Sequence, residues 1–265
     1  MKVTERNNVR VLGASAGPVM MFAHGFGCDQ TMWRMITPAF ERDHRIVLFD
    51  YVGHGGSNRA AYEPKRYSTL QGYAQDMLDI CDELELRDVT LVGHSVSGMV
   101  GLLAAIQRPG QFARIVMVAP SPSYINDGDY HGGFSRDDIN GLLDMIDSNY
   151  LGWASTMAPV IMANTDRPEL ASELENSFCR TDPAIAKQFA RTTFLSDHRK
   201  DLAAAPVPAL IIQVKNDAIA PTSVGDYMAA NMPRSKLALI DTVGHCPHLS
   251  APAPTIEAIQ AFLAS

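Results

Sequence analysis

The chain has 265 residues, of which 46% are hydrophobic and 19% are charged, a composition typical of a globular protein with a full core. Its net charge of −7 is spread without long runs of one sign, which argues against nucleic acid as a partner. No apolar run approaches the roughly 20 residues of a membrane span, and the polar N-terminus lacks a signal-peptide core, so we expect a cytoplasmic protein.

Short apolar runs alternate with amphipathic stretches along the chain. Continuous apolar runs predict strands buried on both faces, as in a parallel sheet that helices cover. Between them, Leu70–Leu84 carries apolar residues at helical spacing. The pattern predicts a doubly wound α/β fold. The six predicted strands are Val19–Ala23, Ile46–Phe49, Thr90–Val92, Ile115–Val118, Leu210–Val214 and Leu237–Ile240.

Chemically reactive residues follow three of these runs at the point where each strand ends. Ser95 comes soon after the third run, Asp217 follows the fifth, and His245 follows the last. Because the carboxyl ends of parallel strands share one edge of a sheet, where ligands bind, we expect these three side chains to converge.

The stretch from Gly93 to Met99, GHSVSGM, contains two serines between a predicted strand and a predicted helix. A nucleophile on such a sharp turn needs small residues two positions away on each side, because helix and strand pass closely there. Ser95 has Gly93 and Ser97 at these positions, whereas Ser97 would have the bulky Met99. Ser95 is therefore the predicted nucleophile, although glycine is usual where Ser97 stands. The alternative is a polar turn in which Ser95 only caps the helix.

The order of the other two residues along the chain favours a nucleophile over a polar turn. A serine hydroxyl needs an adjacent base, and the succession Ser95, Asp217, His245 matches a known triad order. Ser95 would attack an acyl carbonyl, His245 would take its proton, and Asp217 would orient and stabilise the imidazole. Asp226 and Asp241 are weaker candidates for the acid, since one lies in a predicted helix and the other at a strand end without turn chemistry.

Five segments spread over nearly the whole chain resemble the α/β-hydrolase fold family. More closely, the chain resembles the subgroup that contains the bacterial RsbQ-type stress-response hydrolase and the plant karrikin and strigolactone receptors. The resemblance implies a mostly parallel doubly wound sheet with an inserted helical lid, and the activity of a serine esterase or lactonase. The segments are HGFGCDQTMW (24–33), FDYVGHGGSN (49–58), GHSVSGM (93–99), SDHRKDL (196–202) and GHCPHLS (244–250).

The resemblance also implies roles for residues near the triad. It favours His245 over His248 as the base, because the first histidine of G-H-x-P-H fills that role. The oxyanion hole is predicted to consist of two backbone N–H groups, those of Val96, just after the nucleophile, and of Phe26, in the HGFG loop. His24 is expected to support that loop through hydrogen bonds.

The strand rhythm stops between residues 121 and 194. Ser135 and Asp138 form a capping box ahead of an apolar pattern that continues at helical spacing to Trp153, and Pro168 and Pro183 mark two further helix starts. We predict that residues 1–120 and 195–265 form the hydrolase core. Residues 121–194 would then form a helical lid over the carboxyl edge of the sheet.

The resemblance implies an apolar pocket above Ser95, which would accept a small apolar ester or lactone. The alternative for the lid members of the pocket is packing between lid and core. The predicted lining residues are Phe26, Tyr124, Phe134, Trp153, Met157 and Phe194.

Two functions stay open on the sequence. One is a serine carboxylic-ester hydrolase, and the other is a slow, ligand-responsive signalling protein that acts through a partner protein; relatives of both kinds keep an intact triad. A dehalogenase or epoxide hydrolase would need a carboxylate in place of Ser95. We expect neither a cofactor nor a metal, because the histidines form no H-E-x-x-H motif, and we expect the four cysteines to be free thiols.

Overall fold

A computed structural model describes all 265 residues, and its centre is one seven-stranded sheet. The strand order is β1-β3-β2-β4-β5-β6-β7, in which β1 runs antiparallel to β3 and all other neighbours are parallel. The strands are β1 (Arg10–Gly13), β2 (Val19–Ala23), β3 (Arg45–Leu48), β4 (Val89–His94), β5 (Phe112–Val118), β6 (Ala209–Asn216) and β7 (Ser235–Val243).

The six apolar runs predicted as strands correspond to β2 to β7, with Phe49 one residue beyond the end of β3, and the predicted α/β architecture is confirmed. The sequence pattern missed β1, because this strand is only four residues long and largely exposed at the edge of the sheet. An edge strand of this kind lacks the apolar run that marks a strand buried on both faces.

Helices cover both faces of the sheet and supply the roof above one edge. None of them combines the length and the apolar character that crossing a bilayer requires. Five 3₁₀ turns, at Gln30–Trp33, Thr37–Ala39, Arg59–Ala61, Arg66–Ser68 and Arg199–Ala204, complete the connections. The helices are α1 (Val3–Arg6), α2 (Leu70–Glu83), α3 (Val96–Gln107), α4 (Arg136–Ser148), α5 (Tyr150–Met162), α6 (Pro168–Arg180), α7 (Pro183–Phe194), α8 (Thr222–Asn231), α9 (Pro247–Ser250) and α10 (Pro252–Leu263).

The buried apolar side chains fall into three clusters that follow this layering. The largest joins α2, α3 and α8 to one face of the sheet, and a second joins α10 and Trp33 to the other face. The third cluster holds α4 to α7 against the loops at the carboxyl edge, and it includes Trp153 and Phe178. The site at that edge is therefore enclosed between a rigid sheet and a separately packed helical roof.

Helices α4 to α7 lie between β5 and β6, and the chain enters and leaves this segment at one place. Ser123 and Asp197 form an antiparallel bridge there, and His198 N–H donates to the carbonyl of Pro122 at 2.8 Å. We keep residues 121–194 as the proposed bounds of the lid.

The start signals read from the sequence hold with one exception. The capping box at Ser135 begins α4, and prolines begin α6 and α7. The apolar pattern that continues to Trp153 does not form one helix. Asn149 has an extended φ of −153° and its side chain accepts from Gly152 N–H, so it ends α4 and caps α5.

Candidate active site

The strand-to-helix turn between β4 and α3 presents Ser95 at the carboxyl edge of the sheet. Ser95 has φ 55° and ψ −124°, a backbone conformation that L-residues rarely adopt, and its N–H donates to the carbonyl of Val118 at 2.8 Å. The turn is tight, since a Cβ on Gly93 would lie 2.5 Å from the carbonyl oxygen of Ser97. Glycine at this position lets helix and strand pass, which leaves the Ser95 hydroxyl free to point away from the sheet.

Three side chains from three strand ends form one hydrogen-bonded chain. Ser95 Oγ lies 2.8 Å from Nε2 of His245, and Nδ1 of His245 lies 2.7 Å from Oδ2 of Asp217. Since a carboxylate only accepts, Nδ1 carries a proton, and Nε2 is the ring atom in position to accept the proton of Ser95. All three residues are buried, so this arrangement is shielded from bulk water. It can move a proton from Ser95 to His245 when the hydroxyl attacks.

The carboxylate of Asp217 is fixed on the side away from His245. Its Oδ1 accepts from the N–H groups of Ile219 and Ala220, at 2.8 and 3.2 Å, and its side chain is fully buried. These donors replace the water that the charge loses on burial, and they orient Oδ2 toward the imidazole.

The loop that carries Phe26 is tied to the turn that carries the nucleophile. Ser97 Oγ donates to the carbonyl of His24, and the hydroxyl of Tyr51 lies 2.7 Å from the same Oγ. The ring of His24 in turn accepts from Tyr51 N–H at 3.1 Å through Nε2. Ser97, at the position where glycine is usual, therefore joins the two loops that would supply the oxyanion hole.

Two backbone N–H groups of the site, those of Val96 and Phe26, have no hydrogen-bond partner in the protein. Val96 is the first residue of α3, where N–H groups have no partner within the helix. The N–H of Phe26 donates to no other group of the protein. Their function as an oxyanion hole stays a prediction.

An apolar cavity of about 40 Å³ lies in front of Ser95. Burial raises the pKa of the Tyr124 hydroxyl, which lies 3.4 Å from Ser95 Oγ, so this group is a neutral donor at ordinary pH. The ring of Phe26 packs within 5.8 Å of the rings of Trp153 and Phe194, centre to centre. These contacts close the cavity with aromatic side chains from the lid and from the HGFG loop.

The lining of the cavity differs from the prediction at Phe134. Backbone hydrogen bonds to Tyr124 and Asn126 hold Phe134 beside Ile125, just before the cap of α4, and it does not line the cavity. The residues predicted to line the pocket that do line it are Phe26, Tyr124, Trp153, Met157 and Phe194. The lining residues that the sequence reasoning missed are Cys28, His94, Leu142, Ile161, Leu174, Phe178, Thr193, Ile219 and Cys246.

The group closest to a metal-binding arrangement is His94, Cys246 and His248, whose ligand atoms lie within 4.8 Å of one another. Its electrostatics suit neutral side chains. Burial raises the pKa of the Cys246 thiol and lowers the pKa of His248 to about 3, and Nε2 of His94 donates to the carbonyl of His245 at 2.9 Å. The residues therefore form a neutral packed support beneath the His245 loop, in which His94 holds the backbone of His245.

Comparison with known proteins shows the class to which the fold and the site belong. Residues 20–258 match the alpha/beta hydrolase family, and the chain belongs to that family. A strigolactone esterase from Pisum sativum, RMS3, is 38% identical over 92% of this chain and 92% of its own. Karrikin insensitive 2 receptor CA from Petunia hybrida is 38% identical over 94% of this chain and 93% of its own.

A solved structure extends the likeness to bacteria. A hydrolase from Oleispira antarctica superposes with a TM-score of 0.96 and 42% identity, covering 99% of this chain and 96% of that one. The predicted fold family and its receptor-containing subgroup are confirmed, and the predicted class of carboxylic-ester hydrolase agrees with relatives named as esterases.

Proposed function

We propose that the protein is a serine hydrolase that cleaves a small apolar carboxylic ester or lactone through an acyl-enzyme. The observation that carries the proposal is the unbroken chain from Ser95 Oγ through His245 to Asp217, with contacts of 2.8 and 2.7 Å. Ser95 and His245 also line the apolar cavity. A hydroxyl with a base in reach and an apolar cavity in front of it has what acyl transfer requires.

In the first half-reaction, Ser95 Oγ bonds to the carbonyl carbon while its proton moves to Nε2 of His245. Asp217 stabilises the imidazolium that forms. The N–H groups of Phe26 and Val96 are proposed to donate to the carbonyl oxygen as it becomes negative, which they do without reorganising. When the tetrahedral intermediate collapses, the bond to the leaving oxygen breaks and that oxygen takes the proton from His245.

In the second half-reaction, a water molecule attacks the acyl carbon and gives a proton to His245. The bond between the acyl carbon and Ser95 Oγ then breaks, and Oγ recovers the proton. An ester yields an acid and an alcohol, whereas a lactone yields one hydroxy acid.

The cavity supports a substrate that is both apolar and small. Twelve of its sixteen lining residues are hydrophobic, and none carries a carboxylate or a permanent cation. One water molecule needs about 10–15 Å³ of cavity volume. A cavity of about 40 Å³ therefore accepts a short acyl group and not a fatty chain.

The second candidate function is ligand-responsive signalling through a partner protein, with slow turnover. The 38% identity to a petunia protein that is named as a receptor favours it. The helical roof also contributes, since a ligand in the cavity contacts α5 directly through Trp153 and Met157. Ligand would then alter the outer surface of the lid.

A cytoplasmic location stays a prediction.

The test of the hydrolase uses Ser95→Ala and the matched variant Ser97→Ala, two positions away. Ser95→Ala should slow hydrolysis of p-nitrophenyl acetate by a factor on the order of 10⁴ or more, whereas Ser97→Ala should lose about tenfold. Mass spectrometry of the intact wild-type protein should detect one added acyl group. If Ser97→Ala were the inactive variant, the nucleophile would be wrongly assigned, and wild-type hydrolysis no faster than that of Ser95→Ala would overturn the proposal.

A separate measurement distinguishes the two candidate functions. A dedicated hydrolase should turn over its best ester many times without changing its affinity for other proteins. A signalling protein should release product slowly, and ligand should change its hydrogen-exchange protection in α4 to α7 and its capture of a partner from the native host.

A further inference from the structure

The lid helix α5 contributes to the cavity and to the triad at once. Along one face it presents Trp153, Met157 and Ile161 to the cavity wall, each four residues after the last. At its C-terminal end, the carbonyl of Ile161 accepts from the backbone N–H of His245 at 2.8 Å. The last carbonyls of a helix have no intrahelical partners. Here the N–H of His245, the proposed base, donates to one of them.

The His245 loop lies against this helix end at very short range. Gly244 has φ 85°, and a Cβ there would lie 2.0 Å from the carbonyl oxygen of Met162. On its other side, Gly244 N–H donates to the carbonyl of Asn216, next to Asp217, at 2.9 Å. The loop is thus held between the segment that carries the acid and the end of a lid helix.

One buried side chain joins the helix end to the loop. Asn164 is 6% exposed, and its Nδ2 donates to the carbonyl of Met162 and, at 3.3 Å, to the carbonyl of Val243. Its Oδ1 accepts from Arg167 at 2.6 Å. Because a guanidinium only donates, this contact fixes which end of the amide faces the two carbonyls.

We propose that Asn164 is a positioning residue of the reaction, which holds the His245 loop on the C-terminal end of α5 and so aligns the imidazole with Ser95. The inference rests on the proposed function, in which His245 is the base. The imidazole of His245 lies at hydrogen-bond distance from two groups, 2.8 Å from Ser95 Oγ and 2.7 Å from Asp217 Oδ2. A displacement of the loop would break both hydrogen bonds. Misplacement by about 1 Å can cost a factor of about 100 in rate.

The consequence is that the lid takes part in forming the triad. Side chains of α5 that meet a ligand and the carbonyl that holds His245 belong to one helix. A shift of α5 on ligand binding therefore moves the base with it.

The experiment compares Asn164→Asp and Asn164→Ala with Asn149→Ala, which removes the side-chain cap at the opposite end of the same helix. Asn164→Asp keeps the size and the contact with Arg167 but cannot donate to the two carbonyls. We expect both Asn164 variants to lower kcat about 10- to 100-fold with KM changed less than about threefold, because the cavity wall is unaltered. Asn149→Ala should have a lower melting temperature than wild type and an unchanged kcat.

A second readout needs no substrate. The far-downfield proton resonance of the hydrogen bond between His245 and Asp217 should shift or broaden in Asn164→Asp and stay unchanged in Asn149→Ala. Unchanged resonance and kcat in both Asn164 variants would overturn the inference, and so would an equal loss of kcat in Asn149→Ala. If wild type were no more active than Ser95→Ala, the proposed function would fail, whereas the resonance would still test the positioning.

Discussion

Replacing Trp153 with alanine should move the preferred acyl chain of the substrate from short to long. Trp153 is 4% exposed, lines the cavity, and packs its ring 5.2 Å from that of Phe178. In wild type, each methylene that exceeds the available room costs about 1–3 kcal/mol of overpacking. In Trp153→Ala, the same methylene enters the space left by the indole and gains about 0.8 kcal/mol.

The magnitude follows from the difference in chain length. An octanoate ester has four more methylenes than a butyrate ester, so full burial gains about 3 kcal/mol, or a factor on the order of 100 in kcat/KM. The assay is kcat/KM for p-nitrophenyl acetate, butyrate, octanoate and palmitate. The kcat/KM of wild type should decline for chains longer than butyrate, and that of Trp153→Ala should be highest for octanoate.

The matched control is Trp33→Ala, since Trp33 is the other tryptophan and is also buried, yet it packs against Phe22 and His248 and does not line the cavity. Both variants should lose about 3–5 kcal/mol of stability, but only Trp153→Ala should change the chain-length profile. Should either protein fail to fold, Trp153→Leu and Trp33→Leu keep the comparison with a smaller cavity. A wild-type preference for palmitate would refute the small closed cavity, and an unchanged optimum in Trp153→Ala would reduce Trp153 to lid packing.

Two further predictions concern stability in acid and the hydroxyl beside the nucleophile. Burial lowers the pKa of His54 and of His248 to about 3. Below pH 6.5 the unfolded chain therefore binds a proton at each site that the folded protein does not, so the free energy of unfolding should fall as the pH falls, with a slope that approaches about 1.4 kcal/mol per pH unit for each histidine. Urea unfolding at pH 7.5, 6.0 and 5.0 measures this slope. His248→Gln should lower the slope by the contribution of one histidine, and a slope equal to that of wild type would contradict the argument. Tyr124→Phe should keep kcat/KM for p-nitrophenyl acetate within about tenfold, because 3.4 Å from Ser95 Oγ is a weak contact, and a loss as large as that of Ser95→Ala would give this hydroxyl a direct part in the chemistry.

The positions of Ser95, Asp217 and His245 could be predicted because topology alone brings the ends of parallel strands to one edge. The cavity wall could be predicted only in part. Helical periodicity identifies the buried face of a segment, but it does not say what that face packs against. Phe178 and Ile161 therefore carry no separate signal in the sequence. The family resemblance places Phe134 in the cavity, whereas its backbone hydrogen bonds hold it outside.

Two misses have different physical origins. Asn149 is a favourable N-cap residue, so the sequence contains a signal for the break between α4 and α5, although the apolar spacing predicts a continuous helix. The contact of Asn164 with the His245 loop depends on backbone carbonyls of distant segments, which no side-chain pattern records. Positions of this second kind become visible only when the chain is folded.

The bridge between Ser123 and Asp197 closes the lid segment into a loop whose two ends meet. The neighbouring strands β5 and β6 pair directly, so the sheet is insensitive to the length of chain that lies between them. Doubling a closed loop costs only about 0.6 kcal/mol of closure entropy. Evolution can therefore replace most of the roof, and with it the ligand range, while the sheet is kept, provided that the new roof again holds the backbone of His245. The same two crossing points define a cassette that protein engineers can exchange between homologues.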